Sequence, residues 1–286
     1  MPLVPTAVLL DLARGDGHGL AAFNVITLEH VEAVVQGAQQ AGRPVILQVS
    51  ENALLFHHGA LAPLASACAA AAHEADVDVA LHLDHVKDIA VIEQVAPGTF
   101  GSVMVDASAL AYADNIALTR QAVARARRRG LIVEAELGQV GGKDGQPPLS
   151  AHKPGARTDP AEAAAFVEAT GVDALAVAVG SSHAMTSRTA VLDLDLIARL
   201  REAVPVPLVL HGSSGVPATV LSQAVAAGIV KVNIGTALNI AFTAAVRGRL
   251  EADGELVDPR RYLAPAREAM ATVVADAVRS LRAPAT

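Results

Sequence analysis

Tryptophan is absent from this chain of 286 residues, aromatic residues make up only 2% of it, and there is a single cysteine. Each scarcity excludes something. So few aromatic rings cannot build the stacking platforms on which single-stranded nucleic acid is held. A formal net charge of -7 argues the same way, because phosphate backbones are bound by clustered cations. The one basic run, RARRR from Arg125 to Arg129, stops before Gly130 and reads as a helix end whose cations complement the dipole. Cys68, inside SACAAAA, can form no internal disulfide and reads as a small buried residue. No uncharged apolar run reaches the ~18 residues that a membrane-spanning helix needs. The N-terminal MPLVPTAVLLDLARGDG lacks the basic start and long apolar run of an export signal. The expectation is a soluble, cytoplasmic protein with no nucleic-acid or membrane partner.

What is abundant is aliphatic. Hydrophobic residues reach 52%, so the core must be built of Ala, Val, Leu and Ile. Eight short aliphatic runs recur, at 21–25, 44–50, 79–85, 102–107, 131–137, 174–180, 207–212 and 229–235. The segments between them have helical spacing, and several stop at glycine. Continuously apolar strands alternating with helices imply a parallel sheet covered on both faces. Eight such units imply a closed (β/α)8 TIM barrel, an α/β fold. An open doubly wound sheet fits less well, because no G-x-G-x-x-G follows the first strand. One barrel domain over 1–286 is expected, with an extra N-terminal helix from Thr6 to Arg14 and a C-terminal helical extension over about 262–286. The Pro- and Gly-rich stretch DGQPPLSAHKPGART reads as a long loop.

A barrel predicts that its chemistry gathers at the C-terminal ends of the strands. Polar residues end nearly every run: Asn24, Ser50, Asp84 with His85, Asp106, Glu134 with Glu136, His211 and Asn233, with His183 just past the sixth. His85, His183 and His211 are too far apart in sequence to form a local metal motif. At one rim, though, three neutral imidazoles give a zinc site with an open position for substrate. Asp84, beside His85, is placed to move a proton. HGSSG (211–215) and NIGTALN (233–239) run from strands seven and eight into helices, where backbone N–H groups and the Ser214 and Thr236 hydroxyls suit a phosphate. His82 reads as lying lower in the barrel, and His57 and His58 as structural.

AFNV, PVILQVSENA, LHLDH, VEAELGQVGG, TGVDALAVAVGSSH, PLVLHGSSG, KVNIGT and DPRRYLAPAREAM follow one another along the chain. In this set and order the sequence resembles the class II, metal-dependent ketose-bisphosphate aldolases, the fructose- and tagatose-bisphosphate type. The resemblance implies zinc on His85, His183 and His211, with Asp106 and Glu136 at a second metal position. It implies that Asp84 handles the proton on the aldehyde oxygen and that Asn233 stabilises the enediolate of dihydroxyacetone phosphate. Ser214, Thr236 and the backbone at Gly212 would bind that phosphate, and Asn24, Ser50 and Gly235 would line the site. A monovalent cation, Na+ or K+, and a homodimer or homotetramer are further implications.

Several positions depart from the family pattern. Val86 follows the DH pair where a small residue or His is usual, and Ala184 follows a zinc histidine where Gly is usual. Gly235 stands where fructose-type members often carry Asp. The proton-abstracting Glu of the family's mobile loop is missing, and Asp144 is the carboxylate available in its place. A second phosphate needs a cation, for which Arg267, Lys153 and Arg157 are candidates. The expected activity is reversible cleavage of a ketose 1,6-bisphosphate to dihydroxyacetone phosphate and an aldehyde such as glyceraldehyde 3-phosphate. Alternatives are another ketose phosphate as substrate, a Schiff-base aldolase using Lys231, a metal-dependent sugar isomerase, or a noncatalytic barrel subunit of an aldolase complex.

Overall fold

The computed structural model describes residues 3–138, 140 and 156–283. Eight strands follow one another around a closed ring: β1 (Leu20–Asn24), β2 (Val45–Ser50), β3 (Val79–Val86), β4 (Ser102–Val105), β5 (Ile132–Leu137), β6 (Ala174–Val177), β7 (Leu208–Leu210) and β8 (Ile229–Ile234). Every pairing is parallel, and β8 closes on β1 through the register Ala22 to Asn233. This is the expected (β/α)8 barrel, with each strand within a few residues of its aliphatic run.

Among the described residues, ten α-helices accompany the strands: α1 (Thr6–Asp16), α2 (Leu28–Ala41), α3 (Glu51–Phe56), α4 (Ala62–Glu74), α5 (Tyr112–Arg128), α6 (Pro160–Thr170), α7 (Leu194–Ala203), α8 (Ala218–Ala227), α9 (Thr236–Ala252) and α10 (Arg260–Ser280). Their ends are written locally. Asp159 caps α6 by accepting from the N–H groups of Ala161 and Glu162, with Pro160 in the first turn. Asp193 caps α7, and Gly42 and Gly171 end α2 and α6 in the left-handed conformation that glycine adopts without strain.

The strand faces divide by parity. Outward residues such as Phe23, Leu47, Leu81, Leu83 and Val103 pack under the helices in the main core. Inside, α1 closes the lower end, where Leu9 and Leu10 meet Leu20, Ala22, Ile46 and Ala80. The N-terminal plug and the C-terminal extension are both present; α10 lies against α2 and α9. Cys68 is buried, which raises its thiol to about 12 and leaves it inert. The layer above the plug is polar. Gln48 pairs in register with His82, and His82 with Ser102; Glu134 and Lys231 join them, all fully or almost fully buried. No described helix is long and apolar enough to cross a membrane.

Candidate active site

The polar layer is a connected column. His82 Nδ1 lies 2.6 Å from the Ser102 hydroxyl, which donates to Thr6 Oγ1 at 2.8 Å. Since Ser102 spends its proton on Thr6, His82 must carry its own on Nδ1. Its Nε2 therefore offers a lone pair towards the Lys231 ammonium at 3.4 Å. Burial, reinforced by the Lys231 charge, lowers His82 to about 3, so the ring is neutral. Lys231 donates to Glu134 Oε2 at 2.7 Å, and the other oxygen of Glu134 lies 2.9 Å from His211 Nε2. Glu136 Oε2 lies 2.9 Å from His211 Nδ1. Burial alone would lower His211, but the bonds to Glu134 and Glu136 outweigh it and raise the ring to about 9.

Above His211 the site opens. One nitrogen from each of His85, His183 and His211 falls within 4.8 Å of the other two. The three rings meet edge to face, with centroids 4.9–5.7 Å apart, instead of stacking. Asp106 Oδ2 sits 2.9 Å from His85 Nδ1, which leaves His85 Nε2 as the nitrogen that could hold an ion. The backbone bends to make this arrangement. His85 has φ 49° and Ala184, next to His183, has φ 56°, in the left-handed region that side chains disfavour. Such strain persists where the surroundings hold it, commonly at functional sites. His85 lies near the end of β3, where the pairing with β4 shifts register, and Ala184 lies in the loop that follows β6.

A cleft of about 430 Å³ lies over the histidines, lined by Asn24, Ser50, Asp84, Asp106, Gly212, Ser214, Asn233, Gly235 and Thr236 among others. The described residues expected for the metal, proton-transfer and phosphate roles line this cleft, except His211 and Glu136, which lie buried beneath it. Asp84 Oδ2 accepts from the Asn24 amide at 2.7 Å. Burial would raise the Asp84 carboxyl, but His85, His82 and Lys231 outweigh it and keep it ionised. Its Oδ1 and both amide atoms of Asn233 are buried without a hydrogen-bond partner among the described residues. Buried polar groups left so are costly unless something else completes them. They fit a metal-bound, oxygen-rich substrate.

The two strand ends expected to hold phosphate also come together. Gly212 has φ 68°, and a Cβ there would lie 2.5 Å from the carbonyl carbon of Ser182. Ser214 Oγ accepts from Ala237 N in the first turn of α9, which ties the β7 loop to that helix N-terminus.

A model of the family "Fructose-bisphosphate aldolase class-II" matches residues 4–284. The chain belongs to that family. Among solved structures, it is similar to the YdjI aldolase from Escherichia coli K12, at 30% identity and TM-score 0.83, over 98% of this chain and 97% of that one. A candidate fructose-1,6-bisphosphate aldolase from Coccidioides immitis matches at 31% identity and TM-score 0.83, over 96% of each chain. Fructose-bisphosphate aldolase from Campylobacter jejuni shares the fold at 22% identity and TM-score 0.81, over 98% of this chain and 95% of that one. The protein is thus a class II aldolase, an enzyme of a generally metal-dependent family whose histidine triad can hold an ion.

Other expectations meet the structure differently. Asp144 and Lys153 lie outside the described residues. Arg267 does not line the cleft; its guanidinium donates to Glu32 at 2.5 Å. Arg157 pairs with Asp193, also away from the cleft. His57 bonds the Ile26 carbonyl at 2.7 Å and so acts structurally. Lys231 is buried, held by Glu134, and does not line the cleft. Sequence reasoning placed Glu134 at a strand end without a role, and it passed over Lys87 and Glu51, both of which line the cleft. Only the position of Lys87, just past a candidate ligand histidine, could have flagged it.

Proposed function

We propose that this aldolase reversibly cleaves a ketose 1,6-bisphosphate, of fructose or tagatose type, to dihydroxyacetone phosphate and a phosphorylated aldehyde. His85, His183 and His211 would hold zinc, and the observation that carries this reading is the convergence of their nitrogens beside a buried, half-unpartnered Asp84. When bound, zinc supplies Lewis-acid polarisation of the substrate's oxygens. Asp84, kept ionised, takes the proton of the C4 hydroxyl as the C3–C4 bond breaks, and returns it in the condensation direction. Asn24 orients that carboxylate through its 2.7 Å bond. The Asn233 amide donates to the oxygen on which negative charge develops in the dihydroxyacetone phosphate half. Ser214, Thr236 and the Gly212 backbone take up the phosphate of that half, with Ser50 and Gly235 shaping the wall. Asp106 and Glu136 orient two of the ligand histidines and offer a second metal position. Asp144 is assigned to abstraction and return of the C3 proton. A monovalent cation near the phosphate, a homo-oligomeric enzyme and a cytoplasmic location complete the proposal.

Side-by-side cleavage of fructose- and tagatose-1,6-bisphosphate, followed by release of dihydroxyacetone phosphate, tests it. Turnover of one in clear preference names the C4 configuration. Turnover of neither by the zinc-loaded protein would overturn the bisphosphate assignment.

A further inference from the structure

The expected cations among the described residues do not reach the far end of the substrate. Arg267 and Arg157 are engaged elsewhere. Arg188 lines a smaller cavity behind Ser213 and Ser214, at the phosphate-cradle end. Lys87 is the one lysine or arginine lining the main cleft among the described residues. We propose that Lys87 binds the anionic group of the aldehyde half and so sets the enzyme's preference for a phosphorylated aldehyde. This rests on the aldolase reading above.

The topology supplies the direction. In a ring of eight strands, β3 lies four strands from β7, directly across the mouth. The phosphate cradle occupies the β7 and β8 side, through Gly212, Ser214, Gly235 and Thr236. A substrate anchored there and passing over the histidines points its other end at the loop after β3. Asp84, which handles the aldehyde-half oxygen, is on that strand, and Lys87 follows it by three residues. The Cα atoms of His85 and Lys87 can be no more than ~7 Å apart. The ammonium is thus within one small molecule's length of the metal position.

The local structure leaves that ammonium available. Glu51, in the first turn of α3, accepts the Lys87 backbone N–H at 2.5 Å and that of Asp88 at 3.3 Å. These bonds fix the loop through its main chain. The Lys87 side chain is exposed and makes no ion pair with a described residue. A lysine that lines a cleft, with its backbone pinned and its charge uncommitted, is suited to a mobile anion.

The test uses the zinc enzyme in the condensation direction, with dihydroxyacetone phosphate and either glyceraldehyde 3-phosphate or glyceraldehyde. The ratio of kcat/KM for the phosphorylated over the neutral aldehyde should fall about 10- to 100-fold in Lys87→Gln, the loss typical of one charge-assisted contact. Lys87→Arg should keep most of it. An unchanged ratio in Lys87→Gln overturns the assignment. Exchange of the C3 proton of dihydroxyacetone phosphate with deuterated water, without any aldehyde, reports the aldolase reading separately. Exchange with no loss of discrimination sinks Lys87 alone; no exchange by the wild-type enzyme sinks both.

Discussion

Glu134 Oε1 lies 2.9 Å from His211 Nε2, so the most buried of the three histidines proposed as metal ligands rests on a carboxylate. The opposite oxygen of Glu134 is held by Lys231, and that pair ties the metal position to the polar column that ends at Thr6. A buried ion pair adds little net stability, but removing one partner strands the other. Lys231→Met should therefore cost about 3–5 kcal/mol in denaturant unfolding. Adding Glu134→Gln should recover part of the loss, because the uncompensated charge then disappears. The same lysine should resist borohydride trapping with dihydroxyacetone phosphate, and a reduced adduct on Lys231 would revive the Schiff-base route.

Protonation gives the metal-free enzyme a stability maximum. His211 is raised to about 9, so its contribution is complete below pH 6.5 and is lost as pH climbs through 9. His82 is lowered to about 3, so the unfolded chain takes its proton first as pH falls below 6.5. Thermal melts of chelated protein should peak near pH 6.5 and decline on both sides. With zinc present the alkaline decline should shrink, because the metal replaces the His211 proton and binds more tightly as pH rises. A flat profile for the chelated protein from pH 6.5 to 9 would contradict the paired-carboxylate account of His211.

Asp84 and Asp106 should separate chemistry from metal binding. Asp84→Ala should retain zinc, measured by elemental analysis, and lose about 10²- to 10⁴-fold in turnover. Asp106→Asn should weaken zinc affinity by about 10- to 100-fold in a competition titration, since it unmoors the His85 ring. Full activity in Asp84→Ala would sink its proton-transfer role.

Gly212 carries a backbone requirement that no side chain satisfies. Its φ is 68°, and an added Cβ would press on the carbonyl carbon and oxygen of Ser182 at 2.5 and 2.6 Å. Gly212→Ala should cost about 1–3 kcal/mol and raise KM for the ketose phosphate, because the cradle must shift. An unaltered melting temperature together with an unaltered KM would refute the close approach.

The barrel and the rim were legible because both follow from local rules. Short aliphatic runs with turn residues behind them gave the strands, and the polar residues at their ends fell into one cleft, as closure of a parallel ring requires. The column from Thr6 through Ser102, His82 and Lys231 to Glu134 was not legible. Its members come from α1, β3, β4, β5 and β8, and only ring closure brings inward residues of such distant strands into bonding distance. Lys87 was obscured for the opposite reason. A lysine after a strand reads as surface charge, and its value depends on which other cations are already engaged.

The most direct test of the metal site is a zinc titration of chelated enzyme, read as dihydroxyacetone phosphate released from the preferred ketose bisphosphate. The account predicts negligible release without metal, a rise that stops at one zinc per chain, and no rise in His211→Ala. Cleavage that survives exhaustive chelation would contradict it and move the chemistry away from the three histidines.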